Sequence, residues 1–208
     1  MSGNANAAGI AAMVLSGVGF VIGDTSMKLA ISDGLPPMEV LTIRGAIASL
    51  LCLGAIVALR QAASLHHALN RWVLLRAATE TLALFCFITA LPRMPQGDLT
   101  AIFQISPLLV VLGAALLFGE RIGPAKFVVL ALGFAGAMLV AQPGAVTGYA
   151  AAPLGMVGAV LVAARDLAAR RTPAGIPTLV ATLATLVMVM VSAAVVSVLF
   201  ETRVMPSG

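Results

Sequence analysis

The amino-acid sequence predicts an all-α integral membrane protein, a multi-span helical bundle. Hydrophobic residues make up 61% of the 208 residues and charged residues only 10%, where a soluble domain carries about 25% charged residues. Mean hydropathy is +1.08. Apolar segments recur at the length of roughly 20 residues that a helix needs to cross a hydrocarbon core of about 30 Å. Short separators rich in Gly and Pro divide them. Seven segments can be read: 8–31, 37–59, 72–91, 97–118, 123–142, 152–172 and 176–200.

The first segment follows MSGNANAAGI, which holds no Lys or Arg. The apolar run is too long for the core of a signal peptide, so it reads as a retained first span. Asp33-Gly34-Leu35-Pro36-Pro37 turns the chain into the second span. The separator 60–71, RQAASLHHALNR, is the longest and leads into the third. Pro92 to Gly97 precedes the fourth span, and Gly119 to Gly123-Pro124 the fifth. Gln142-Pro143-Gly144 precedes the sixth, and Pro173 to Pro177 the seventh. These linkers leave no room for a soluble domain, so polar groups within the bundle are the chemistry available.

The fourth span, TAIFQISPLLVVLGAALLFGER, holds Pro107 in its first half. Proline removes a backbone donor, which predicts a kink and an unpaired Phe103 carbonyl. Lipid offers that carbonyl nothing, so it needs a neighbouring helix or a wet cavity. Gln104 and Ser106 bring polar atoms to the same depth. The span is either a cavity wall or a bent structural helix.

Basic residues set the orientation. With the N-terminus inside, the inner loops hold Arg60, Arg71, Arg121, Lys126, Arg170 and Arg171, and the outer side holds only Arg93 and Arg203. The positive-inside rule therefore predicts a multi-pass protein of the cytoplasmic (inner) membrane with a cytoplasmic N-terminus.

An internal repeat is also visible. Asp24 to Lys28 is followed by Gly34-Leu35-Pro36 and a long apolar span. Asp166 to Arg170 is followed by Gly175-Ile176-Pro177 and another. The two copies lie five spans apart, an odd number, so they face opposite ways across the membrane. Inverted repeats of this kind build secondary transporters. The same residues also read as ordinary helix ends, where cations and Gly-Pro turns recur.

The run Ala101 to Gly144 resembles the signature of the EamA branch of the drug/metabolite transporter superfamily. It has a proline-containing fourth span, the turn Gly119-Glu120-Arg121, and a fifth span with Gly133 and Gly136. The opening hairpin GDTSMKLAISDGLPPMEVLTIRGA, with Lys28 and Arg44, is similar to the family's first hairpin. The resemblance implies a bundle of two inverted five-helix repeats, ten spans in all, moving small metabolites. Residues 7–144 would form the first EamA repeat of five transmembrane helices. Residues 152–208 would form a partial second EamA repeat of two, leaving the second repeat incomplete. A homodimer is one arrangement that would complete the cavity wall of a seven-span chain.

Charges inside a bilayer are costly and usually face the bundle interior or water. The substrate-cavity candidates are Asp24, Arg44, Arg76, Glu80, Gln104, Ser106 and Pro107. Asp24 and Lys28 stand one helical turn apart and can neutralise each other. Arg44 cannot lose its charge and needs Asp24, Glu39 or a substrate anion as partner. Arg76 and Glu80 repeat the one-turn spacing. Glu80 is a candidate proton carrier, a substrate contact or a structural partner of Arg76. Structural or helix-end roles are expected of Lys28, Asp98, Glu120, Arg121, Arg165, Asp166 and Arg170. Asp98 would cap the fourth span, and Arg165 and Asp166 would pair across helices. Gly19 and Gly23, with Gly133 and Ala137, would let helices approach closely.

The formal charge of +4 does not imply nucleic acid, because no basic run is interleaved with aromatics. Cys52 and Cys86 lack metal-ligand or disulfide spacing and read as packing residues. His66 and His67 have no third ligand, so no metal or cofactor is expected. No HExxH or GxSxG occurs and no His lies in a span, which weighs against an intramembrane enzyme acting on lipid. The residues favour a secondary transporter of a small amphipathic metabolite working by alternating access. A non-transporting membrane assembly or scaffold subunit is the alternative. The partners expected are a small-molecule metabolite and the lipid bilayer.

Overall fold

The computed structural model describes residues 2–119, 123–141 and 150–201. Its long elements are α1 (Ser2–Ser32), α2 (Pro37–Ala58), α3 (Arg71–Ala90), α4 (Gln96–Phe103), α5 (Ser106–Phe118), α6 (Pro124–Ala141), α7 (Ala152–Arg170) and α8 (Thr178–Val196). No strand occurs among the described residues. Gly9–Ser32, Pro37–Ala58, Arg71–Arg93, Gln96–Phe118, Ala152–Arg170 and Thr178–Leu199 are each long and apolar enough to cross a membrane. The fifth expected segment is α6, 18 residues long and about 27 Å at 1.5 Å per residue.

Local chemistry explains the boundaries. Gly34, at φ +97°, ends α1. Its N–H donates to the Ile31 carbonyl at 3.1 Å, and the Leu35 N–H donates to the Ala30 carbonyl at 3.1 Å. This pairing satisfies the last carbonyls of the helix and needs a left-handed residue, which glycine supplies. Pro37 then occupies the first turn of α2, where a missing N–H loses nothing. At the other end of α2, Arg60 takes the left-handed position (φ 56°). Asn70 caps α3, its side-chain oxygen accepting from the Trp72 N–H at 3.0 Å.

The fourth span departs from the expected single kinked helix. It is two helices, α4 and α5, separated by a turn at Gln104-Ile105. Pro107 stands in the first turn of α5. Pro107 cannot donate to the Phe103 carbonyl and its ring crowds that turn, so α4 stops there and the chain restarts as a helix at Ser106.

The helices sort onto two ends. Arg71, Trp72, Phe118 and Arg171 meet at one, with the Arg171 guanidinium 5.6 Å from the Trp72 ring and 4.7 Å from that of Phe118. We call this the basic end. Leu91, Met94, Leu99 and Ala151 pack together at the other, against Ile31. Between them α3 packs on α7 and α8, α2 on α8, and α4 and α5 on α7. A cluster of Met27, Leu41, Ile88, Val189 and Ala193 ties α1, α2, α3 and α8 together. Cys52, Ile56 and Val180 form a third, where the Cys52 thiol donates to the Leu179 carbonyl at 3.4 Å. The outward face of α1 is apolar and exposed, including Met13, Val14 and Leu15. Such a surface belongs against lipid.

Close approach occurs where glycines face a neighbouring helix, but not at the expected ones. Gly19 and Gly133 have nothing within 4 Å of an added Cβ, and the Ala137 side chain lies outside the described residues. A Cβ at Gly23 would meet the Arg44 guanidinium at 3.3 Å, so this glycine makes room for a side chain and not for a helix. The tight contacts are Gly45 against Met190, Gly113 against Leu167, Gly155 against Leu99 and Ile102, and Gly158 against Phe103. Gly155 and Gly158 are neighbours on one face of α7 and seat α4 against it.

Candidate functional site

A cavity of about 650 Å³ opens at the centre of the bundle. α1 contributes Phe20, Asp24 and Met27 to its wall, α2 Leu41, Arg44, Gly45 and Ala48, and α3 Arg76, Glu80, Leu84 and Phe87. Thr100, Phe103, Gln104 and Ser106 come from the broken fourth span, Val162 and Arg165 from α7, and Thr182, Thr185 and Leu186 from α8. This volume is in the range of small-molecule sites, and the mixture of apolar wall with a few charged groups is their usual chemistry.

The charges form two layers. Toward the end opposite the basic one, an Arg44 guanidinium nitrogen donates to Asp24 Oδ1 at 3.4 Å and contacts Met27 Sδ at 3.8 Å. Asp24 is almost buried (10% side-chain exposure) while Arg44 is 40% exposed. Toward the basic end, Arg165 Nη1 donates to Glu80 Oε2 at 2.7 Å. The Arg165 Nε and Nη2 atoms both reach Asp166 Oδ1 at 2.8 Å. One guanidinium therefore serves two carboxylates, using its fork of donors in a way that an ammonium cannot. Arg76 lines the cavity one turn before Glu80 and forms no ion pair among the described residues.

Asp24 pairs with Arg44 on α2, one of the partners expected for that guanidinium, and not with Lys28, which is half-buried on α1. Glu80 turns to Arg165 on α7 and not to Arg76. One-turn spacing puts side chains within reach but contributes only about 0.2–0.5 kcal/mol, less than the short charge-assisted bond that Glu80 accepts from Arg165. Arg165, expected in a structural or helix-end role with a pairing across helices, pairs with Glu80 on α3 and also lines the cavity. The signal for this was present in its position five residues inside the end of α7.

Pro107 is displaced from the cavity. It breaks the span but faces a separate apolar groove of about 660 Å³ between α5 and α6, with Leu108, Val111, Leu130 and Phe134. Gln104 lines both spaces, and Ser106 is buried against the central one. Asp98 is the third residue of α4, with Pro95 in the cap position, and is buried. Arg170 ends α7 and is exposed. Glu120 and Arg121 lie outside the described residues. Composition offered no pointer to Phe20, Phe87 and Phe103, because apolar residues fill every span; only the packing shows which of them face inward. No cluster of metal-ligating side chains occurs among the described residues.

The asymmetry of the outer pair has a measurable consequence. Arg44→Ala strands a nearly buried carboxylate and is expected to cost about 1–3 kcal/mol of stability. Asp24→Asn leaves a guanidinium that is already partly solvated and should cost less. Thermal unfolding of purified protein in detergent compares the two. Equal losses would show that Asp24 is better solvated than its burial implies.

Antiparallel apolar helices around a charged, ligand-sized cavity define a multi-pass α-helical membrane protein with a small-molecule site. Residues 7–142 match the EamA-like transporter family. The pseudopaline exporter of Pseudomonas aeruginosa is 31% identical over 171 residues, covering 80% of this chain and 58% of that protein. A riboflavin transporter of Vibrio cholerae is 29% identical over 133 residues, covering 63% of this chain and 45% of that protein. A crystal structure at 24% identity superposes with a TM-score of 0.67 over 89% of this chain and 66% of its own, which shows a shared fold. The chain belongs to the EamA-like transporter family. It spans little more than half the length of the pseudopaline exporter it matches, and the family and its named relatives point to transport, not catalysis.

Proposed function

We propose that this chain forms the substrate path of a secondary transporter that moves a small amphipathic metabolite across the cytoplasmic membrane by alternating access. The observation that carries this reading is the central cavity itself: its wall is drawn from α1, α2, α3, the broken fourth span, α7 and α8, and it holds the Asp24–Arg44 and Glu80–Arg165 ion pairs. Charges at such depth are costly, and their gathering around one space supports a solute path. The broken fourth span supports it too, since interrupted helices are tolerated where they line a cavity. The relatives named for pseudopaline export and riboflavin transport support this reading.

In this reading residues 7–144 are one five-helix repeat and 152–208 belong to a second, inverted one. α7 and α8 then correspond to α1 and α2. The packing of α8 against α2 supports this, because helices related by a two-fold axis in the membrane plane meet across it. Arg60, Arg71, Arg170 and Arg171 flank the connections at the basic end, which supports a cytoplasmic position for that end and for the N-terminus. Rocking of one repeat against the other would open the cavity to each side in turn.

The test is solute movement in proteoliposomes. Glu80, on the cavity wall, is expected to matter more than Asp98, which does not line it. Glu80→Gln should lower the transport rate about tenfold or more relative to Asp98→Asn, measured on equally inserted protein. Equal, small effects would remove Glu80 from the path. No movement of any solute would favour a scaffold role.

A further inference from the structure

We propose that the ligand of the central cavity is an amphipathic oxyanion, a carboxylate or phosphate carried on an aromatic or similarly flat apolar body, and that Arg76 docks its charged group. This rests on the small-molecule reading of the cavity. Three guanidiniums face the space. Arg44 is held by Asp24, and Arg165 by Glu80 and Asp166. Arg76 alone has no ion-pair partner among the described residues, although Glu80 stands one turn away on the same helix and is engaged elsewhere. A guanidinium cannot discharge by losing its proton, and a fixed cation within a span is stabilised by an anion. With the carboxylates that line the cavity, Asp24 and Glu80, committed to other guanidiniums, the partner left to Arg76 is one that enters the cavity.

The apolar half of the ligand follows from the far wall. Phe87 and Phe103 line the same cavity and meet edge to face, with ring centroids 5.4 Å apart. Phe87 lies eleven residues after Arg76 on α3, about 16 Å along the helix axis. An anion near the basic end with a flat body reaching toward these rings fills the cavity, and the edge-to-face pair presents ring surface to a second aromatic group. A cationic body would meet Arg76 and Arg165 at the basic end without a free carboxylate to receive it.

The test is binding to the purified chain in detergent, read by microscale thermophoresis, with 1-naphthaleneacetate, 1-naphthyl phosphate, the neutral 1-naphthaleneacetamide and the cationic 1-naphthylmethylamine as probes. The acetate or the phosphate should bind about tenfold or more tightly than the amide, and the amine weakest. The two anions tell carboxylate from phosphate recognition. Arg76→Gln should bring acid and amide to equal affinity. Where Arg76→Gln fails to fold, Arg76→Lys serves: it should keep the preference for the anion with affinity lowered several-fold, because the charge persists without the fork. Binding of the amide or amine as tightly as the acid, an unchanged preference in Arg76→Gln, or no binding of either anion overturns the proposal. The transporter reading fails separately: anion-selective binding without solute movement in proteoliposomes would overturn transport and leave the ligand class standing.

Discussion

Arg165→Ala is expected to destabilise the bundle more than Glu80→Ala, and both more than Asp166→Ala. Arg165 is the hub of the basic-end layer, bonded to Glu80 at 2.7 Å and to Asp166 at 2.8 Å. The Arg165 and Glu80 side chains are only 28% and 25% exposed, so solvent replaces little of what is lost. A hydrogen bond to a charged group contributes about 1.5–3 kcal/mol, and a partner left behind pays its own desolvation. Removing Arg165 strands two carboxylates, whereas removing Glu80 leaves the guanidinium with Asp166. Asp166, at 43% exposure, is wet enough for its loss to count for about 1 kcal/mol or less. A double-mutant cycle on Glu80 and Arg165, read by unfolding in detergent, should give a coupling of about 1–3 kcal/mol. Exchanging the two residues, Glu80→Arg with Arg165→Glu, should recover part of it. Additive single effects, or a larger loss in Asp166→Ala, would show that the layer is not built around Arg165.

A second large effect is expected at Gly45. An added Cβ there would lie 3.0 Å from Met190 Cβ and 3.2 Å from Met190 Cα. The obstacle is helix backbone with its first side-chain carbon, which cannot rotate away. Gly45→Ala gains about 1 kcal/mol in helix propensity but must push α2 from α8, and a net loss is expected. Gly45→Leu should cost about 3 kcal/mol or more, at the upper end of overpacking, because α2 and α8 share one of the main interfaces of the bundle. Gly19→Leu is the contrast: nothing lies within 4 Å of its Cβ, and the residue is exposed. It should be neutral or mildly stabilising. Folded yield and melting temperature of the three variants check the order. A tolerated Gly45→Leu would mean that the two helices separate easily, and the cavity wall beside Gly45 would be looser than the structure shows.

The contrast between Gly19 and Gly45 marks where sequence reading stops. Gly19-xxx-Gly23 fits a close-packing pattern, yet it faces open space at one residue and an arginine side chain at the other. Gly113 and Gly158 belong to no such pattern, yet an added Cβ at either would lie 2.5 Å from a side chain of a neighbouring helix. Spacing along a helix says which residues share a face, but not whether another helix lies against that face. The same holds for charge. Asp24 with Lys28, and Glu80 with Arg76, were the pairs that one-turn spacing suggested. The partners found, Arg44 and Arg165, lie 20 and 85 residues away in sequence.

The sequence by itself determined the class of protein, roughly where the spans begin and end, and that Pro107 disturbs the fourth. Each of these depends on local physics. Apolar length is set against bilayer thickness, Gly34 supplies a left-handed turn, Asn70 caps a helix, and Pro107 cannot donate to the carbonyl one turn before it. It also put Asp24, Arg44, Arg76, Glu80, Gln104 and Ser106 forward, because a polar group in a long apolar span is conspicuous wherever the span ends up. Tertiary structure alone decided that these six share one cavity, that Arg165 joins them, that Pro107 turns to the groove beside α6, and which phenylalanines face inward. Those outcomes depend on how helices far apart in the chain are rotated and packed against each other. Hydropathy is nearly the same on every side of a helix like α5, so nothing local distinguishes the face that meets lipid from the face that meets other helices.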